Sequence, residues 1–311
     1  RVYFSGAVQM NSPDMSLRAG VGPAVSVVVP CFNGGRFLDG LMASLAGQTL
    51  RAVEIIVVND GSTDEATLHK LAALEGPVRV IHQDNRGLSA ARNAGIRASR
   101  TELVMTIDCD DRIEPPLLAE AAALMQSAPA DVAMVFSHIR LTGAAEDAVA
   151  RGFNRFDLLF TNTLPSGLLL RRSIWEAVGG YDESMREGYE DWEFYLRLAR
   201  AGYDAIEIPK PYFHYAIASE GMLLGKSTQV HAKLWRSIRR KHAALYRPWT
   251  MLRLWREGRD GARHVSLGKG FAAYALALVL PDAWFSRLVT RMRRRNLLEG
   301  RRPAYVPRPV R

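Results

Sequence analysis

Cysteine is nearly absent. Cys31 and Cys109 are the only two in 311 residues, which leaves neither a disulfide framework nor a cysteine-built zinc site. Both fall at the ends of expected strands, within reach of one another, and read as small buried thiols of a reducing compartment. Long apolar runs are missing too. The longest, Gly270 to Pro281, is shorter than the about 20 residues needed to cross a bilayer. Neither G-x-G-x-x-G nor a P-loop occurs, which argues against dinucleotide dehydrogenases and P-loop ATPases. No signal-peptide pattern opens the chain, and residues 1–23 are expected to be a lead-in, disordered and outside the fold. Acid is scarce at the other end. From Lys226 onward, 21 Lys and Arg face 4 Asp and Glu, a balance of +17, whereas the preceding 225 residues hold 20 and 28 and are acidic by 8. An acidic body therefore carries a basic extension, fit to meet an anionic polymer or lipid surface.

The feature that organises the rest is Thr106-Ile107-Asp108-Cys109-Asp110-Asp111. An apolar run, Leu103 to Ile107, stops at three carboxylates within four residues. Such a run reads as a buried strand. Crowded carboxylates repel unless a cation neutralises them, and hard oxygen donors suit Mg²⁺ or Mn²⁺ shared with a substrate phosphate. A solvated turn, or a cap for the helix starting near Pro115, is the competing reading.

Strand and helix alternate around it. Val25–Val29, Val53–Val58, Val78–Ile81 and Leu103–Ile107 read as strands. Between them, Phe37, Leu38, Leu41, Met42 and Leu45 recur at helical spacing. Ser62 with Glu65 fits a capping box ahead of Leu68, Leu71 and Leu74, and a third helix runs to Ala98. The pattern predicts an α/β fold with a doubly wound, mostly parallel sheet, and ligands beyond the carboxyl ends of its strands. Further on come a helix from Pro115 to about Ser127, a strand at Val132–Phe136, a loop at Gly143–Gly152 and a short strand ending at Arg171-Arg172. A turn at Gly179–Glu183, an amphipathic helix opened by Glu190-Asp191 and a last strand at Tyr212–Ile217 complete this part.

Six stretches together resemble a bacterial family-2 glycosyltransferase of the GT-A, Rossmann-like fold. They are Ser26–Asn33, Val57–Asp64, Asn85–Gly95, Asp108–Asp111, Val178–Glu183 and Glu190–Trp192, in the family's order, within residues 24–217. The resemblance implies transfer of a hexosyl or hexosaminyl group from a nucleotide-diphosphate sugar, most often a UDP-sugar, with inversion at the anomeric carbon. It implies that Pro30, Phe32, Asn33 and Asp60 hold base and ribose, that Arg92 lies near the nucleotide, and that Asp108 reaches ribose and metal. Asp110 would ligate Mn²⁺ or Mg²⁺, and Asp191 would be the general base. Ser166, Glu190 and Trp192 would line the acceptor, with plain core packing the competing role for Trp192. At a helix start Asp191 is expected to stay ionised, with a low pKa unless burial opposes it. The family often ends this domain with Tyr, a basic residue, any residue and a metal-binding His. Here Tyr215 is followed by Ala216, Ile217 and Ala218. His214, on the same strand face as those alanines, is a substitute ligand or an ordinary strand-end histidine.

The expected division is a lead-in at 1–23, a catalytic domain at 24–225 and a basic helical extension at 226–311, with a disordered tail after Gly300. Within the extension, a helix is expected from His231 to Tyr246, a second at Trp249–Arg256, and an apolar one at Gly270–Phe285 before five arginines. Apolar helices flanked by Arg and Trp fit an interfacial anchor on an anionic membrane; packing on the body is the other reading. No nucleic-acid-binding module accompanies the charge. The whole reads as a metal-dependent inverting glycosyltransferase acting on a saccharide or lipid-linked acceptor in surface polysaccharide synthesis. It would be cytoplasmic, peripheral on the inner face of the cell membrane. A nucleotide-sugar-binding protein with impaired catalysis and a metal-dependent nucleotidyltransferase are the alternatives.

Overall fold

The computed structural model describes residues 23–143, 147–149, 152–217, 230–258 and 265–298. The expected lead-in up to residue 22, Ala218 and the tail after Gly300 lie outside the described residues.

A nine-stranded sheet forms the frame. Its strands are β1 (Val25–Cys31), β2 (Glu54–Asp60), β3 (Val78–Gln83), β4 (Leu103–Thr106), β5 (Arg112–Ile113), β6 (Val132–Gly143), β7 (Asp147–Val149), β8 (Leu168–Arg171) and β9 (Asp204–Ile217). The order is β3-β2-β1-β4-β8-β6-β9-β5, with β7 added on β6. β1 to β4 run parallel to one another, and β6 runs parallel to β9. β8 is the antiparallel strand that joins the two halves.

The helices are α1 (Gly35–Ala46), α2 (Glu65–Ala72), α3 (Leu88–Ala98), α4 (Leu117–Ser127), α5 (Arg172–Ala177) and α6 (Glu190–Arg200). Four more follow: α7 (His231–Lys241), α8 (Pro248–Glu257), α9 (Leu267–Val279) and α10 (Asp282–Leu298). Alternation along β1 shows why the sheet is covered on both faces. Val25, Val27 and Val29 pack with Leu38 and Leu41 of α1, while Val28 packs with Ala91 and Ile96 of α3. Gly95 lets α3 come close, since a Cβ there would meet Val28 Cγ1 at 2.3 Å.

Four local expectations are corrected. The strand beginning at Val132 continues to Gly143, and part of the expected loop is β7, paired back on β6. β9 starts at Asp204, eight residues before the expected Tyr212, because it pairs along the whole of β6. The cap of α2 is Asp64, whose carboxylate accepts the Thr67 N–H at 2.8 Å. Ser62 is committed elsewhere, its hydroxyl accepting the Asn33 N–H at 3.0 Å. The helix expected from His231 to Tyr246 ends at Lys241, and Ala243–Tyr246 forms a 3₁₀ turn.

The carboxyl-side helices pack on the sheet. Trp235 and Ile238 of α7, Met251 of α8, Ala277 of α9 and Phe285 of α10 share one core with Trp192, Phe194 and Leu196 of α6. The apolar stretch at Gly270–Phe285 is broken at Leu280-Pro281, where proline cannot continue α9. Among the described residues no helix is long and apolar enough to cross a membrane.

Candidate active site

The carboxyl ends of the parallel strands carry polar loops bound to one another. Beyond β1, Asn33 adopts a left-handed conformation (φ 50°). Its Oδ1 accepts the N–H groups of Thr63 at 2.8 Å and Asp64 at 3.2 Å, which ties the β1 loop to the β2 loop. Pro30 is buried in β1, whereas Phe32 is 50% exposed and offers an aromatic face at the strand end. At the end of β2, Asp60 is buried and fully used. Its Oδ1 accepts Gln83 Nε2 at 2.7 Å and the Arg86 N–H at 2.9 Å, and Oδ2 accepts the Gly87 N–H at 2.8 Å. Asp60 thus fixes the loop that starts α3.

Arg92 projects from α3 beneath the acidic stop after β4 and is 1% exposed. One guanidinium nitrogen donates to Asp108 Oδ1 at 2.8 Å and Oδ2 at 3.1 Å; another donates to Glu190 Oε1 at 2.8 Å. Burial opposes its charge, but Asp108 and Glu190 outweigh that and raise its pKa well above the usual guanidinium range. Arg92 therefore joins the end of β4 to the start of α6.

Asp108, Asp110 and Asp111 lie under mutual repulsion. Desolvation raises Asp110, and the Asp108 charge adds to it. Asp111 is buried and raised well above the carboxylate range by that burial, then by Asp108 and Asp110. Its Oδ1 accepts the Ala216 N–H at 3.1 Å, while Oδ2 has no partner. Position 216, where the resemblance expects a basic side chain, thus supplies only a backbone N–H. The two thiols do meet. A Cβ on Gly34 would lie 2.4 Å from Cys109 Sγ and 3.5 Å from Cys31 Sγ. The hydrogen bond from Cys109 lowers the Cys31 thiol.

Asp191 opens α6 behind Tyr189, which is itself left-handed (φ 65°). Oδ1 accepts the Trp192 N–H at 2.6 Å, and Oδ2 accepts Asn162 Nδ2 at 2.8 Å. The expectation of a low pKa is corrected here. Burial, then the neighbouring Glu190 charge, push Asp191 up to about 7, against Arg92 and the two hydrogen bonds. Glu190 faces inward to Arg92 and is buried. Trp192 has 0% exposure and donates its indole N–H to the Leu158 carbonyl at 2.6 Å. The ring fills the core under α7, the packing role that stood beside the acceptor side for this residue. Ser166 lies beside β4, its carbonyl accepting from Thr106 Oγ1 at 3.3 Å, with its own hydroxyl buried and unpartnered. His214 Nε2 is 2.6 Å from Glu114 Oε1 across the β5–β9 pair.

Sequence reasoning missed Asn162, which no motif surrounds, and gave no role to Asn93. The Asn93 side chain clasps the backbone of Tyr181, donating to its carbonyl and accepting its N–H at 2.8 Å each. That clasp holds the turn after Gly179-Gly180, on the path to α6.

The family pattern described as Glycosyl transferase family 2 matches residues 26–185, half of the chain. The chain belongs to glycosyl transferase family 2. The uncharacterized glycosyltransferase YwdF of Bacillus subtilis (strain 168) is 30% identical over 209 residues, covering 63% of this chain and 75% of that protein. The uncharacterized glycosyltransferase YibD of Escherichia coli (strain K12) is 31% identical over 211 residues, 61% of each. Identity rises to 44% with the putative glycosyltransferase EpsH of B. subtilis, over 95 residues that make 30% of this chain and 28% of that protein. The chain thus matches less than a third of that relative's length. Among solved structures, S. aureus TarS 1-349 in complex with UDP-GlcNAc is similar at TM-score 0.58 and 16% identity, covering 89% of this chain and 91% of that one. The mannosyltransferase PcManGT from Pyrobaculum calidifontis, in complex with GDP-Man and Mn2+, is similar at TM-score 0.53 and 19% identity, covering 90% and 88%. The fold is GT-A: mixed α/β, with a mostly parallel sheet and a helical carboxyl-side region.

The donor set of this chain bears on a metal. Among the described residues no group of three or more His, Cys, Asp or Glu has metal-holding geometry. Asp108 and Asp110 are two hard-oxygen donors whose repulsion an ion would relieve. Two carboxylates fit an ion that takes its other ligands from a diphosphate and water, the usual manner of Mg²⁺.

Proposed function

We propose that this chain is an inverting glycosyltransferase moving a sugar from a nucleotide-diphosphate donor to a saccharide or lipid-linked acceptor, in the building of a surface polysaccharide. The observation that carries the reading is the Arg92 bridge, which ties Asp108, one of the two carboxylates suited to a donor diphosphate, to Glu190, the neighbour of Asp191 at the head of α6. The donor side is built from the ends of β1, β2 and β4. Exposed Phe32 offers a stacking face for the base, and Asn33 and Asp60 keep the surrounding loops in place. A UDP-sugar is the favoured donor, and the UDP-GlcNAc complex of TarS supports that class; a GDP-sugar is the competitor, as in PcManGT.

Asp108 and Asp110 would hold Mn²⁺ or Mg²⁺, which supplies Lewis-acid stabilisation of the departing diphosphate. The chain's own residues do the rest. Asp191, part-buried at the head of α6, takes the proton of the acceptor hydroxyl. Asn162 and the Trp192 N–H fix the orientation of its carboxylate. A pKa near 7 leaves it ionised often enough to accept and basic enough to pull. Arg92 holds Glu190 turned inward, so one carboxylate of the adjacent pair structures the site while the other reacts. Direct displacement by a hydroxyl deprotonated in place inverts the anomeric carbon and needs no covalent sugar–enzyme step.

Residues 24–225 carry both substrates in this reading, and residues 226–311 form a basic extension. The extension supports action at the cytoplasmic face of a membrane. Incubation with UDP- and GDP-sugars and Mn²⁺, scored for nucleoside diphosphate release, tests the function. Release that needs an acceptor and falls in Asp191→Asn is the expected result. Tight nucleotide binding without release would favour a binding protein with impaired catalysis.

A further inference from the structure

Helices α9 and α10 follow one another across Leu280-Pro281, each with one side against the body and one side open. Ala277 and Phe285 face inward, and the Phe285 ring stacks 5.8 Å from His231 and 5.6 Å from Trp235. The outward side is apolar. Leu276, Leu278, Val279, Trp284, Leu288 and Met292 are exposed there, Val279 by 81% and Trp284 by 66%. Leu276 and Val279 share a face of α9; Trp284, Leu288 and Met292 follow at intervals of four on α10. Each helix therefore presents a stripe, and the two meet at Leu280-Pro281. Lys269, Arg287 and Arg291 are exposed on the same two helices. Among the described residues of these two helices Asp282 is the one acid, and it is ion-paired with Arg236.

We infer that this face docks on an anionic lipid bilayer, lying in the headgroup layer without crossing it. The inference rests on the membrane-surface reading above and names the residues that make the contact. Neither helix is a membrane span, yet large apolar side chains stand in water beside cations that form no ion pair among the described residues, the composition of an interfacial helix. Tryptophan suits that depth, with an apolar body and one polar N–H. Lysine and arginine find anionic headgroups there. Charge also decides between a membrane and a second copy. A two-fold contact through this face would bring each copy's Arg287 and Arg291 towards a surface of the same sign. Docking has a geometric consequence. Phe285 stacks on His231, and His231 lies parallel to Trp192 at 6.4 Å. The docking helix α10 is thus joined to the helix bearing Asp191 through the Phe285, His231 and Trp192 rings, and in this reading a lipid-linked acceptor is presented near that helix.

Flotation of the full chain with two kinds of vesicle tests this: phosphatidylcholine alone, and phosphatidylcholine with one-third phosphatidylglycerol. Flotation with the anionic vesicles, weakened by salt and slight with phosphatidylcholine alone, is expected. Val279→Ser combined with Trp284→Ser lowers binding by about ten-fold or more. Arg287→Glu combined with Arg291→Glu does the same and removes the salt dependence. All four positions are exposed, and thermal melting checks that the variants fold. No flotation of the parent, or equal flotation of parent and variants, overturns the inference. So does a dimer in sedimentation that Val279→Ser with Trp284→Ser dissolves, since a second copy would then cover the face. Nucleoside diphosphate release in solution is scored separately. A chain that floats but releases none keeps the docking face and loses the transferase reading; one that transfers but never floats does the reverse.

Discussion

The amide of Asn162 donates to Oδ2 of Asp191 at 2.8 Å, across 29 positions of sequence. That bond favours the ionised carboxylate, which burial and Glu190 already oppose. Asn162→Ala should therefore raise the Asp191 pKa further. Transfer at neutral pH falls several-fold and recovers in alkaline buffer. A profile that overlays the parent's would remove Asn162 from the positioning of the base.

With Asp191 at about 7, the kcat/KM for transfer climbs through neutral pH and levels off above it, because the base must be ionised. The stability contribution has the opposite sign. The folded pKa is raised from 3.8, so between about 4 and 7 the folded chain holds a proton that the unfolded chain has released. This group's contribution to stability is thus lost as pH rises through that window. Asp191→Asn removes both effects while keeping an oxygen for the Trp192 N–H, and lowers transfer by roughly 10²-fold or more. Initial rates and melting curves across pH read both. A flat rate profile in the parent would send the search for the base elsewhere.

Arg92→Met should destabilise the chain by about 3–5 kcal/mol, since it strands Asp108 and Glu190 without their shared partner. Denaturant unfolding measures this. A loss under about 1 kcal/mol would mean that the bridge contributes little to the folded state.

Asp110→Ala should abolish the Mn²⁺-dependent part of UDP binding, because it removes one of two hard donors. Without metal the variant should be slightly more stable, as a repelling carboxylate is gone. Calorimetric titration with UDP, with and without Mn²⁺, decides. Unchanged affinity in the presence of the ion would exclude Asp110 as a ligand.

The parallel half of the sheet was legible because its signals are local: β-branched runs, helical spacing and carboxylates at a strand end. The second half of β6 was not. Ser137, His138, Arg140 and Thr142 break its apolar pattern, and the strand is held by its long pairing with β9. The order of the acidic motifs pointed to Asp108, Asp110 and Asp191. It gave no hint of the pKa of Asp191, which depends on how deeply α6 is packed. Trp192 shows the same limit: its position beside a candidate base suggested the acceptor side, and only the core around it reveals an inward ring. Asn162 lies in an irregular stretch and reaches Asp191 through the fold alone.

The packing of α6 under α7 and α10 also orders events at birth. A chain made from its amino end completes β1 to β4, with α3 and the acidic stop, long before His231, Trp235 and Phe285 leave the ribosome. Until they do, the layer that covers Trp192 is missing and the helix carrying Asp191 has only part of its core. The nascent chain therefore completes the strand ends of β1 to β4 first, and seats the helix bearing Asp191 firmly only once α7 and α10 have followed.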